Sequence, residues 1–277
     1  MHLLLTVCLV IAGIPAAQGS AVIFSDNFSG SNLDPAWQVL PGQGSYSMVG
    51  DLRYNQEGPL SAPSGWGTTS LSLALPFTGL HWQADIEAKH TLMWLTSGNY
   101  TGPSNPMPSG SSGAQQSRVQ MAFDPVTAGD RSALGGSNTA GFVRGVDAWY
   151  GSNYLTAFYD GTYVDNLQNP SDMMIQNNVA DGTYWYRFIR DGGLLSIAYS
   201  YDGVNYFTAI SQALQNPLDD ANTLVLSGET YLSVGSYTDF QSVRILDTTV
   251  PEPETSGLIG AGLLLIPIIR RRSRQRA

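Results

Sequence analysis

The chain has 277 residues, of which 43% are hydrophobic and 10% aromatic; that is ample apolar area for a packed core, and a disordered body is excluded. Charged residues make up only 13%, whereas Gly (30) and Pro (15) are plentiful, which disfavours exposed helices built from Glu, Lys and Arg and favours strands and turns. The formal charge is -9, and five of the 13 basic residues (Arg270, Arg271, Arg272, Arg274, Arg276) sit in the last eight positions, so the acidic body repels phosphate and nucleic acid is excluded as a partner.

In chain order, Leu3 to Ala17 are almost continuously apolar and close on small residues in AAQGSA. Ala17-Gln18-Gly19 or Gly19-Ser20-Ala21 fits the small-x-small cleavage rule, so residues 1–21 read as a secretory signal helix, with an uncleaved anchor as the alternative. The single cysteine, Cys8, lies inside this run. The exported body thus has no disulfide or thiolate site, and its stability must come from packing.

Residues 22–248 form the body. Period-two runs recur there between turn signals: WQVL (37–40), SLSLAL (70–75), HWQADIEA (81–88), RVQMAF (118–123), GFVRGVDAWY (141–150) and YLTAFY (154–159). YWYRFIR (184–190), LLSIAYS (194–200), NYFTAI (205–210), TLVL (223–226), YLSVGSY (231–237) and DFQSVRIL (239–246) follow. A dozen short strands in about 230 residues suit two stacked antiparallel sheets. Asp191-Gly192-Gly193 and Asp202-Gly203 carry hairpin-turn chemistry, which predicts three adjacent antiparallel strands from Tyr184 to Ile210. SQALQN (211–216) is the one stretch with helical character, a turn or two. The longest irregular stretch, Ser97 to Ser117 after Trp94, reads equally as a binding edge or a loose loop.

Residues 249–277 make a separate tail: VPEPETS, an apolar run from Gly257 to Ile269, then RRRSRQRA. Thirteen residues of helix span about 20 Å, only marginally enough for a membrane. The arginines belong on the cytoplasmic side, which places the body outside and agrees with the leading signal.

Catalytic patterns are scarce. The body has three glutamates, Glu57, Glu87 and Glu229, and the closest approach to a carboxylate pair is Asp85-Ile86-Glu87, whose alternation puts both side chains on one, solvent-facing side of a strand. His81 and His90, nine residues apart, read as surface or edge residues and not as zinc ligands. Neither a Gly-x-Ser-x-Gly elbow nor a P-loop is present. For sugar binding, DAWYGSNYLTAFYDG is the richest segment: Trp149, Tyr150, Asn153 and Tyr154 combine aromatic rings with an amide around a Gly-Ser turn, with core packing as the competing role for Trp149.

Two resemblances follow from these residues. Pro251-Glu252-Pro253, a short apolar helix and a terminal arginine run closely resemble the PEP-CTERM sorting signal of Gram-negative bacteria. The resemblance implies recognition of Pro251, Glu252 and Pro253 by an exosortase, transient membrane anchoring, and delivery to the cell surface, envelope or exopolysaccharide matrix. The opening FSDNFSGSNLDPAWQV, the late YRFIRDGGLLSIAYSYDGVNYFTAI and the closing YLSVGSYTDFQSVRIL resemble a concanavalin A-like lectin/glucanase jelly roll of the DUF1349 or laminin-G type, with an immunoglobulin-like sandwich as the alternative. That likeness implies an all-β antiparallel jelly-roll sandwich, first and last strands side by side (Phe24 to Phe28 near Gln241 to Leu246), and a structural calcium for which Asp26 and Asp247 are the carboxylates to test. The Glu-x-Asp-x-x-Glu strand of the glucanases is missing, so the expected function is non-catalytic binding or organisation of polysaccharide. The alternatives are a structural envelope protein that contacts other proteins and a divergent glycoside hydrolase.

Overall fold

Two residues, Gly192 and Gly193, turn the chain between β12 (Gly182–Asp191) and β13 (Leu194–Ser200), with Asp191 paired to Leu194 and Gly192 at φ 59°. Glycine takes that positive φ without a steric cost, so local sequence alone closes this hairpin. Strand β14 (Phe207–Ala213) pairs antiparallel with β13, giving the three neighbouring strands expected from the turn chemistry. Ser211 to Ala213 extend β14 opposite Leu194 to Ser196, so the expected helical turn at SQALQN is corrected for these residues: ladder hydrogen bonds to β13 outweigh a short run of weak helix propensity.

The computed structural model describes residues 20–40, 45–56, 66–74, 79–92, 114–122, 139–147, 152–159, 162–163, 176–177, 179–213, 223–231 and 235–249. Residues 1–19, residues 250–277 with Pro251, Glu252 and Pro253, and Glu57, Trp94, Trp149 and Tyr150 lie outside them. One eight-stranded sheet, here sheet A, runs β14–β13–β12–β6 (His81–Thr91)–β16 (Ser236–Asp247)–β4 (Leu52–Gln56)–β3 (Ser45–Met48), with β1 (Ala21–Asp26) also paired to β16. The other, sheet B, runs β10 (Thr162–Tyr163)–β9 (Ser152–Tyr159)–β8 (Thr139–Asp147)–β7 (Ala114–Ala122)–β15 (Thr223–Tyr231)–β5 (Trp66–Ala74)–β2 (Trp37–Leu40), with β11 (Gln176–Asn177) on β9. Neighbours along both paths are antiparallel. First and last strands therefore lie side by side, and Val22–Asp247 form one compact unit.

Alternation decides what each strand buries. On β6 the burial pattern is iBiBiBiBeBi, which turns Trp82, Ala84, Ile86, Ala88 and His90 inward. Leu71, Leu73, Val119, Met121, Phe142, Leu155, Leu224 and Leu226 of sheet B share a single hydrophobic cluster with them. Phe142 is the central wedge: its ring lies 5.1 Å from Tyr186, 6.2 Å from Phe188 and 6.1 Å from Tyr199, all three on the opposite sheet.

One part of this interior is polar. Arg144, on β8 two residues after Phe142 and on the same face, is fully buried; its Nη1 donates to the carbonyls of Gly145 (2.8 Å) and Tyr154 (3.3 Å), and its Nη2 to Val179 O (2.7 Å) and Asp181 Oδ1 (3.5 Å). The guanidinium thereby ties the 179–181 segment to β8 and β9. His90 is also buried, with Nε2 2.8 Å from Tyr186 Oη and Nδ1 3.1 Å from Thr238 Oγ1. The surface or edge role expected for His90 is thus corrected, whereas His81 is half-exposed and pairs with Asp191 at 2.8 Å. Nine residues along a strand is an odd step, so the two histidines face opposite sides.

Two measurable consequences follow. Phe142→Ala should lower unfolding stability by about 3–5 kcal/mol, read from urea denaturation, because the cavity opens between the two sheets. Burial, and then the Arg144 charge, hold the His90 pKa well below the ordinary histidine value, with Tyr184 and Tyr186 the other titratable groups against its ring. The unfolded chain takes up this proton near pH 6.5 while the folded chain does not, so stability should fall as pH drops below about 6.5, by up to about 1.4 kcal/mol per pH unit. A pH series of denaturation curves should show this slope in the wild type and its loss in His90→Gln.

Candidate carbohydrate-binding site

The face of sheet B that points away from the shared core is unusual for a protein with so few charges. Parity along the strands places Thr156 and Tyr154 of β9, Gln116, Arg118 and Gln120 of β7, Ser227 of β15 and Ser72 of β5 on this outer face. All but Gln116 are buried, and Gln116 is half-buried. A face meeting another apolar layer carries Val, Leu and Ile, and one meeting open water carries Lys and Glu. Here amides and hydroxyls, each able to donate and accept, surround one guanidinium.

These groups are already linked. Arg118 Nη2 donates to Gln116 Oε1 at 2.9 Å, and Gln116 Nε2 donates to Tyr154 Oη at 2.6 Å. Tyr154 can take this place because its neighbour on β8 is Gly145, where a Cβ would come within 2.5 Å of the tyrosine ring. Val143 and Phe158 pack beside it in a small apolar cluster. The Ser227 hydroxyl is fully buried and makes no protein hydrogen bond.

Among the sequence candidates, Tyr154 enters this strip as a buried part of its floor and not as an open stacking ring. Asn153 does not join it: consecutive residues on β9 face opposite sides, so Asn153 points to the interior, beside Val146 in register, and its Oδ1 has no hydrogen-bond partner. Trp149 and Tyr150 fall in the connection between β8 and β9, outside the described residues. Sequence reasoning missed Gln116, Arg118 and Gln120. The available signal was the alternation from Gln116 to Met121, in which Gln116, Arg118 and Gln120 share one parity opposite Val119 and Met121.

On sheet A the outer face is a different surface. Asp85 and Glu87 lie there as alternation predicts, but Arg187 grips Asp85 in a two-point ion pair (2.6 and 3.2 Å) and Ser242 donates to Glu87 (3.2 Å). The Tyr206 ring lies 3.8 Å from the Arg187 guanidinium carbon. This is the packing of a surface ion pair, with no open acid facing a nucleophile.

The calcium expectation meets a similar commitment. Asp26 Oδ1 accepts from Phe28 N (2.8 Å) and its Oδ2 from Trp37 Nε1 (2.9 Å), holding the buried Phe28 at φ 51° against the Trp37 ring. Asp247 ends β16, opposite Trp82. Calcium collects six to eight oxygens, and no group of three or more His, Cys, Asp or Glu side chains suited to a metal occurs among the described residues. Asp26→Ala should destabilise the fold by losing the bonds to Phe28 N and Trp37 Nε1, as thermal melts would show; a calcium-raised melting temperature that this substitution removes would place the ion there as well.

No protein-family model matches the chain, and no curated protein does either. Among solved structures, peanut lectin with a nine-residue peptide has a TM-score of 0.48 at 14% identity, covering 82% of this chain and 97% of its own. The VIP36 exoplasmic/lumenal domain in its Ca2+/Man-bound form has 0.45 at 12%, covering 83% and 92%. The GH43 protein BlXynB from Bacillus licheniformis has 0.46 at 12%, and this chain spans only 39% of its length. These are likenesses only. Strand pairing and the shared core establish the class: an all-β, two-sheet antiparallel jelly-roll sandwich.

Proposed function

We propose that this protein is an exported, non-catalytic carbohydrate-binding sandwich that holds or organises exopolysaccharide outside the cytoplasmic membrane. The reading is carried by one observation, the gathering of amides and hydroxyls around Arg118 on the outer face of sheet B, with Val143 and Val225 in register between some of them. A sugar presents many hydroxyls and little charge, and groups that both donate and accept meet it without a charge to desolvate. The lectin-like neighbours are compatible with this reading, and the engagement of Asp85 by Arg187 favours binding over hydrolysis.

Delivery rests on the two ends of the sequence: export through residues 1–21, transient anchoring through the apolar run at 257–269, and exosortase recognition of Pro251, Glu252 and Pro253. Intact-mass measurement of the protein from its host should give a chain that lacks both ends.

Glycan-array binding and calorimetry on the purified protein test the site. Arg118→Ala and Gln116→Ala should each weaken glycan binding by about tenfold or more, because each leaves a partner of the network unpaired. Tyr154→Phe, which removes only the acceptor for Gln116, should cost less. The wild type should turn over no polysaccharide on a broad panel. Binding that survives loss of both Arg118 and Gln116 would remove sheet B from the account.

A further inference from the structure

The hairpin between β13 and β14 carries an exposed aromatic surface that neither the core nor the strip on sheet B uses. Its turn is held unusually tightly. Asp202 Oδ1 accepts from Val204 N (2.9 Å), Asn205 N (2.7 Å) and Ser200 Oγ (2.9 Å), and its Oδ2 accepts from Asn205 Nδ2 (2.7 Å). Those bonds, the Asn205 amide first, hold the Asp202 carboxyl far below the usual carboxylate range. Ser200 Oγ in turn accepts from the amides of Asp202 and Gly203. Gly203, at φ 72°, rests on the Trp185 indole, where a Cβ would sit 3.1 Å from the ring. A loop this constrained presents its side chains in one arrangement, so little ordering is left to a ligand.

What it presents is apolar. Val204 is 79% exposed, Phe207 53% and Tyr201 40%. The two rings, 6.3 Å apart, are backed by buried ones: Tyr201 stands edge-on to Tyr184 and Tyr199 (5.3 and 5.5 Å), and Phe207 leans on Tyr199 (5.6 Å). Exposed Asn205, next to Val204 in the turn, adds a polar group to the patch. Two rings and one isopropyl group are far smaller than the roughly 800 Å² per partner of a stable protein interface. The net charge of -9 disfavours an anionic membrane or polyanion. A pyranose with equatorial hydroxyls fits both limits: its C–H face stacks on an aromatic ring while its rim hydroxyls reach amide and hydroxyl groups.

We propose that Tyr201, Val204 and Phe207 form a second sugar-stacking site, on sheet A, for neutral, equatorially hydroxylated glycan chains. It rests on the carbohydrate reading above and extends it to two contacts on different sheets, so that one molecule bridges two stretches of polysaccharide.

The test uses full-length protein with cellohexaose, laminarihexaose and xylohexaose, read by calorimetry and by hydrogen-exchange protection of the 201–207 peptide. At least one of these sugars should protect that peptide, and the double variant Val204→Ala/Phe207→Ala, with its melting temperature unchanged, should weaken binding about tenfold. Phe207→Tyr should retain binding, since it keeps the ring. Protection of 201–207 that persists in Arg118→Ala supports the hairpin site even if the strip on sheet B proves inert. Binding that is unaltered in the double variant, or no protection of 201–207 by any of the three sugars, overturns it, and the first of these outcomes leaves the sheet B reading standing.

Discussion

Each of the two sheets has one face that water cannot be allowed to reach, and covering each with the other is the constraint on which the remaining structure depends. Phe142 shows how tightly it is met: one ring from sheet B touches three rings of sheet A. Interiors of this density leave no freedom to slip a strand by one residue, because a slip would turn the whole inward set to solvent. Register, once fixed, assigns every other side chain. His90 and His81, Asn153 and Tyr154, and Asp85 with Glu87 owe their faces to parity alone.

The polar part of the interior is tolerated for the same reason. Burying Arg144 is costly unless its donors are matched, and three main-chain carbonyls and Asp181 engage both terminal nitrogens, while Nε makes no hydrogen bond. Main-chain carbonyls are held by the sheet itself, so the guanidinium is positioned by the fold while anchoring the segment that precedes β12. His90 beside it stays neutral, since a second buried cation would have no partner.

The outer faces divide the remaining work. Sheet A carries two ion pairs, partly exposed Arg53 with buried Asp239 and partly exposed Arg187 with Asp85, each with a tyrosine ring over its guanidinium. The Arg187–Asp85 pair, partly exposed on both sides, adds modestly to stability. Sheet B instead buries mostly uncharged polar groups around Arg118, with Arg118, Gln116 and Tyr154 linked by hydrogen bonds.

Much of this was legible from the amino acids. WQVL and LLSIAYS match β2 and β13 to the residue, and Asp-Gly turns marked the β12–β13–β14 meander, because both signals are local. Strands β3 and β4 were not seen: SYSM and LRYNQ have no apolar run and become strands by pairing with each other and with β16. YLSVGSY read as one strand, but Tyr231 ends β15 and Ser236-Tyr237 begin β16, since their partners lie on different sheets. Composition, alternation and turn chemistry by themselves determined the all-β class, the hairpins and which residues share a side of a strand. Only the tertiary structure decided which side is interior, what lies across from Arg144 and His90, and that Gln116, Arg118 and Tyr154 meet. Those outcomes depend on contacts between strands far apart in the chain, and no local propensity encodes them.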